Sequence, residues 1–157
     1  SRMNTVQCAT ARLQAQGLIL PDEPEAMGRY AVWRRDGDRL YTAGLLSRTA
    51  DGVIPGPFGP DDDPLQAEEA ARVCALRALA VAQAAVGSLD RVAGVAALRG
   101  VIAAKPDFTR HSQVLDAASE IFDSIFGPQV RCIRTAVGVS SLPAGGGVEI
   151  EVTFALK

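Results

Sequence analysis

The chain has 157 residues, 48% of them hydrophobic, with a formal net charge of -2 and a pI near 5.4. That size and apolar content suit one domain with its own core, and the slightly acidic balance offers no basic field to hold a nucleic-acid backbone. Cys8, Cys74 and Cys132 lie far apart with no CxxC pair, which argues against a disulfide framework.

No apolar run approaches the roughly 18 residues of a membrane span, and the first residues carry no apolar h-region. Neither insertion nor export is expected, and a reducing cytoplasm fits best. Ser1-Arg2 before Met3 reads as an appended dipeptide and is left out of fold reasoning. Aromatic residues are scarce and alanine is abundant, so close helix-to-sheet packing is favoured over aromatic clusters.

In chain order, Asn4 to Gln16 reads as a short helix, with Asn4 or Thr5 as cap, Val6, Ala9 and Leu13 at helical spacing and Gly17 as stop. An acidic, proline-containing lead-in follows through Met27. Arg29 to Arg35 and Leu40 to Leu46 alternate around the turn signal Asp36-Gly-Asp38, which predicts a hairpin. Ser47 to Asp63 is a long glycine- and proline-rich loop. Its Asp61-Asp62-Asp63 cluster lacks the spacing of a calcium loop and reads as solvated loop plus helix cap.

Asp63-Pro64 opens the main helix, with Gln66 at capping-box spacing and Gly87 as stop; Val73, Leu76 and Ala80 mark its apolar face, widened by Cys74, Leu79 and Val81. Asp90 to Ala104 has so little polar content that it predicts a central strand buried on both faces. Pro106-Asp-Phe-Thr109 opens a helix carrying Val114, Ala118, Ile121, Phe122 and Ile125, which stops at Gly127-Pro128.

Arg131 to Val152 closes the chain as two strands joined by a loop. Ile133, Val137 and Val139 alternate on one side of the first, and Val148, Ile150, Val152 and Phe154 on one side of the second. The opposite face presents Cys132, Arg134, Ala136 and Gly138 beside Glu149, Glu151 and Thr153. A cation among small residues next to carboxylates leaves room for a small anionic ligand. Helices on one sheet face, an α+β arrangement, would leave Ala43, Gly44, Gly94, Ala96 and Ala136 on an uncovered face, which points to self-association. His111 has no second His or Cys at ligand spacing, so no metal site is expected.

Leu40-Tyr-Thr-Ala-Gly44, Glu69 to Leu79, Gly87-Ser-Leu-Asp-Arg-Val92, Pro106-Asp-Phe108, Arg134-Thr-Ala-Val-Gly-Val139, Leu142-Pro143 and Val148-Glu-Ile-Glu151 together resemble the Rid family, also called the YjgF/UK114 family, in the branch with an extra N-terminal helix. The resemblance implies one Rid-like domain over 1–157, with 4–27 the N-terminal helix and lead-in and 28–157 the core. It also implies a chorismate-mutase-like α+β homotrimer with ligand clefts between subunits. Typical members hydrolyse imines and enamines to a keto acid and ammonia without metal or organic cofactor.

By the same resemblance, Arg134 holds the substrate carboxylate, the Ala136 carbonyl contacts the imine nitrogen, Glu149 is associated with the attacking water, and Tyr30 and Phe108 line the cleft. Cys132 reads as a small wall residue. Where typical members have Ser-Gly-Gln, this chain has Ala43-Gly44-Leu45, and Glu68 and Arg77 stand where related chains have Gln and Asn. A more apolar cleft would suit a larger or less polar acid, or a ligand bound without reaction.

Two readings of Arg134 follow, a carboxylate anchor or an ion pair with Glu149 or Glu151 across the hairpin. Two function classes follow likewise: an imine or enamine hydrolase or related biosynthetic enzyme, and a non-catalytic trimer that binds a small carboxylate. Ribonuclease activity, also attached to the family name, fits the acidic pI poorly.

Overall fold

In the computed structural model, which describes residues 8–157, local signals set most element boundaries. Helix α1 (Ala9–Ala15) gives way to Gly17 at φ +66°, a conformation open to a residue without a Cβ. The expected cap at Asn4 or Thr5 and the apolar Val6 lie outside the described residues. Strands β1 (Trp33–Asp36) and β2 (Arg39–Thr42) form the expected hairpin, shorter than its alternation suggested, with Asp36 opposite Arg39 across Gly37-Asp38. After Ala43-Gly44 the chain resumes as the two-residue β3 (Leu45–Leu46).

The long loop is pinned along its length. It contains a small hairpin of β4 (Arg48–Thr49) and β5 (Gly52–Val53), and Phe58, 4% exposed, exchanges backbone hydrogen bonds with Ala103 and Lys105 at 2.8 and 2.9 Å. Ser47 anchors its start. The buried hydroxyl donates to Ile54 O at 2.9 Å and accepts from the Gly147 and Val148 N–H groups at 3.3 and 3.2 Å.

Helix α2 (Pro64–Val86) begins as expected, with the Asp63 carboxylate accepting the Leu65 N–H at 3.0 Å, and ends at Gly87. Its buried stripe includes the expected Cys74, Leu79, Ala80 and Val81 but runs mostly through alanine. Ala67, Ala70, Ala71, Cys74, Ala75, Ala78 and Ala82 are buried, whereas Val73 and Leu76 are only half-buried. Small residues along this stripe let the helix lie close to the sheet.

Strand β6 (Val92–Ala103) leads through a turn at Phe108 to α3 (His111–Phe126), which starts later than the Pro106 signal predicted. Strands β7 (Ile133–Val139) and β8 (Val148–Leu156) complete the chain. The sheet order is β1-β2-β8-β6-β7, with β3 also paired to β8. Helices α2 and α3 cover one face. Val148, Ile150, Val152 and Phe154 point to them, and the Phe122 and Phe126 rings meet Phe154 edge-on at 6.2 and 6.4 Å.

Three expectations need correction. The last two strands are not a hairpin, because β6 lies between them, antiparallel to β8 and parallel to β7. Strand β6 is not covered on both faces of the chain, since Arg99 is exposed and Ala97 and Val101 are half-open. The faces of β7 are also exchanged. Ile133 is 77% exposed and Val137 38%, while Arg134, Ala136 and Gly138 lie under α3.

Close approach explains that exchange. A Cβ at Gly100 would stand 2.5 Å from Leu115 Cδ1, one at Gly94 2.7 Å from Val130 Cγ1, and one at Gly138 would run into the His111 ring. Gly94, Gly100, Ala136 and Gly138 therefore mark where α3 and its flank press on the sheet, whereas Gly44 lies on the open face beside Glu149.

The expected cost of filling this contact is measurable. Gly100→Ala should lower stability by about 1–3 kcal/mol through overpacking, read as a fall in thermal midpoint of roughly 2–10 °C. Combined with Leu115→Ala, the loss should be smaller than the sum of the two single losses. An unchanged midpoint in Gly100→Ala would contradict the packing described.

Candidate functional site

Residues in register across a sheet share a face. Leu98 is opposite both Arg134 and Val152, and Val101 is opposite both Val137 and Glu149. Arg134 is thus on the helix-covered face and Glu149 on the open one. A cross-hairpin ion pair between them is excluded.

Arg134 is held instead by α3. Its Nη1 donates to Asp116 Oδ1 at 2.7 Å and Ser119 Oγ at 3.0 Å, and its Nη2 to Ser112 Oγ at 2.7 Å and Ser112 O at 3.3 Å. With its side chain 21% exposed, it forms one wall of a cleft of about 430 Å³ shared with Asp116, Ser119, Asp123 and Cys132. Burial pushes the Cys132 thiol above its ordinary pKa, and Arg134 only partly offsets this, so a thiolate nucleophile is disfavoured there.

The other predicted residues divide into two groups. Tyr30, Ala43, Leu45 and Glu149 meet in a second cavity of about 120 Å³ on the far side of the sheet, joined by Gly44, Arg48 and Arg77. Phe108 and Ala136 line neither cavity. Phe108 is buried against His111, with ring centroids 5.0 Å apart, and lies under the Arg110 guanidinium at 5.8 Å.

Glu149 owes its position to Gly44. A Cβ there would stand 2.9 Å from the Glu149 carboxyl carbon. Burial, and secondarily Glu151, raises the Glu149 pKa above its ordinary 4.5, which favours a carboxyl able to exchange a proton nearer neutrality. Tyr30 Oη accepts the Met27 N–H at 3.2 Å, leaving its own proton free to donate.

Two contributors were not identified as site residues from the sequence. Asp116 fixes Arg134 from an ordinary helical position, which gave no local signal. Arg77 was noted only as a departure from related chains, whereas Glu68 lines neither cavity. The signal for Arg77 was its spacing, three residues after Cys74 and seven after Ala70, which places a cation beside the buried stripe of α2. No group of three or more His, Cys, Asp or Glu side chains among the described residues is arranged to hold a metal ion. No helix among them is long and apolar enough to cross a membrane.

Comparison with known proteins adds an independent line. A family model described as "YjgF/chorismate mutase-like, putative endoribonuclease" matches residues 10–146. Protein TCP17 of Trypanosoma cruzi is 36% identical over 149 residues, covering 94% of this chain and 93% of that one. The structure of Atu1372 from Agrobacterium tumefaciens, a protein of unknown function, superposes with a TM-score of 0.84 at 31% identity, covering 95% of this chain and 94% of that one. A Shewanella oneidensis structure described as a "putative endoribonuclease" gives a TM-score of 0.88 at 26% identity, covering 96% of this chain and 100% of that one.

The raised pKa of Glu149 has a signed consequence for stability. Below pH 4.5 the carboxyl is protonated whether the chain is folded or not; above its raised value the folded state carries a charge that burial disfavours, so Glu149 subtracts stability at neutral pH. Glu149→Gln should raise the thermal midpoint at pH 8 and leave it unchanged at pH 3.5. Equal shifts at both pH values would refute the assignment.

Proposed function

The chain belongs to the YjgF/chorismate-mutase-like family, and on that premise we propose that it acts on a small carboxylate-bearing imine or enamine, hydrolysing it to a keto acid and ammonia or performing a related biosynthetic step. The observation that carries this reading is the Glu149 carboxyl, held half-buried over Gly44 in a small cavity that Tyr30 also lines. Glu149 takes a proton from water as the water adds to the electrophilic imine carbon. Glu149 returns that proton to the carbinolamine nitrogen, and as the hydroxyl loses its proton and closes to C=O the C–N bond breaks and releases ammonia. Positioning supplies much of the acceleration.

Arg134 is the proposed carboxylate anchor. It lies across the sheet from Glu149, so a site using both residues takes them from different copies. Strand β7 is suited to this, because it ends the sheet with one edge unpaired and exposes Ile133 and Val137. The proposed assembly is the homotrimer, with a cleft at each junction, where Phe108 and the Ala136 carbonyl complete the wall on the Arg134 side. An incoming carboxylate displaces Asp116 or Ser112 from the guanidinium and regains paired hydrogen bonds. The net charge of -2 gives little support to RNA as substrate.

A second reading, binding without turnover, is favoured by Ala43 and Leu45, which give the cavity wall no side-chain polar group where Ser and Gln were expected. Ammonia release from enamines generated in situ separates the two. Arg134→Ala should reduce the rate by about 100-fold or more, and equal rates in the two proteins would sink the hydrolytic reading. Saturable binding of a keto acid without ammonia release would support the alternative. Light scattering should give three chain masses; a monomer alone would overturn the shared cleft.

A further inference from the structure

The Glu149 cavity contains a cation that imine hydrolysis as written does not use. Arg77 rises from the edge of the buried stripe of α2 and lines the cavity. Its Nη1 donates to Leu46 O at 2.7 Å, and among the described residues it makes no other hydrogen bond and no ion pair. A guanidinium has five N–H donors, so most of its capacity remains for an occupant.

Its surroundings favour an anion. Arg48 and Tyr30 line the same cavity, and the Tyr30 hydroxyl has its proton to give. Glu25 and Glu149 also line the cavity, but neither pairs with Arg77, since no ion pair joins it to either within 4.0 Å and the Glu149 carboxylate lies over Gly44. A partly buried guanidinium left without a counter-charge is costly, and a carboxylate that enters the cavity removes that cost.

Volume limits what can enter. A cavity near ~150 Å³ holds a benzene-sized molecule, so about 120 Å³ admits a carboxylate with two or three carbons rather than a nucleotide or a long acyl chain. Ala43 and Leu45 supply apolar wall for those carbons. The less polar acid expected from Ala43 and Leu45 alone is therefore revised, because the same cavity carries a guanidinium.

We infer that this cavity is an anion subsite read by Arg77, with Tyr30 and Arg48 in support, and that the substrate carries a second acidic group besides the carboxylate taken by Arg134. The inference rests on the imine or enamine reading for the reacting end and adds a dicarboxylic framework to it. An acid with an apolar end would leave Arg77 unpaired, and that penalty makes the cavity selective.

Calorimetric titration of the full chain with two five-carbon keto acids, 2-oxoglutarate and 2-oxopentanoate, tests this. The wild type should bind the diacid roughly tenfold or more tighter. Arg77→Gln should bring the ratio near one while leaving affinity for the monoacid within about twofold, and Arg77→Lys should keep part of the preference. A merely structural Arg77 would weaken both acids together, which would overturn the inference. So would equal binding of the two acids by wild type, an unchanged ratio in Arg77→Gln, or no binding of either acid.

The ammonia assay distinguishes the two proposals. Arg134-dependent turnover of monoacid enamines without a diacid preference removes only the subsite. A diacid preference lost in Arg77→Gln, with no ammonia from any enamine, removes hydrolysis and retains the subsite.

Discussion

The register of β6 with its two neighbours governs the chemistry this chain can perform. Because β6 runs antiparallel to β8 and parallel to β7, the residue opposite Leu98 on either side is on the helix-covered face, and the residue opposite Val101 on either side is on the open one. Arg134 and Glu149 belong to different sets. A shift of one residue along either strand would bring both to the same face, so the separation of cation and carboxylate rests on hydrogen-bond pairing rather than on side-chain choice.

Around that frame, packing depends on how little volume the contacting residues have. The alanines of α2 and the glycines of β6 and β7 let backbones approach where branched side chains would hold them apart. Ser47 works in the same direction by polar means. Its hydroxyl satisfies two N–H groups at the start of β8 and one carbonyl in the loop, which fixes the strand carrying Glu149 just beyond β3. The small cavity beside Glu149 is thus bounded by a helix, a strand and a loop held by separate interactions.

Much of this was legible in the sequence where the signal is local. Asp63-Pro64, Gly87 and the Asp36-Gly-Asp38 turn act over a few residues, and each ends or starts an element as its chemistry requires. The final two strands misled because chain neighbours are often sheet neighbours, and nothing between Val139 and Val148 reveals that β6 takes the place between them. The face of Arg134 was misread for a related reason. Alternation identifies two faces but not which one a helix will cover, and a small residue serves equally under a close helix and on an open surface. Resemblance singled out Tyr30, Ala43, Leu45 and Glu149, which line one cavity, whereas Arg77 needed the neighbouring β3 and Tyr30 to show that it shares that cavity.

The sheet that divides Arg134 from Glu149 has a genetic consequence under the shared-cleft reading. Activity then belongs to junctions between copies rather than to single chains. Two chains, one lacking the arginine and the other the glutamate, are each inactive alone, yet in a mixed assembly some junctions pair the intact arginine of one with the intact glutamate of the other. Complementation between such alleles, and its absence between two alleles altered at the same residue, would be the cellular expression of a strand register.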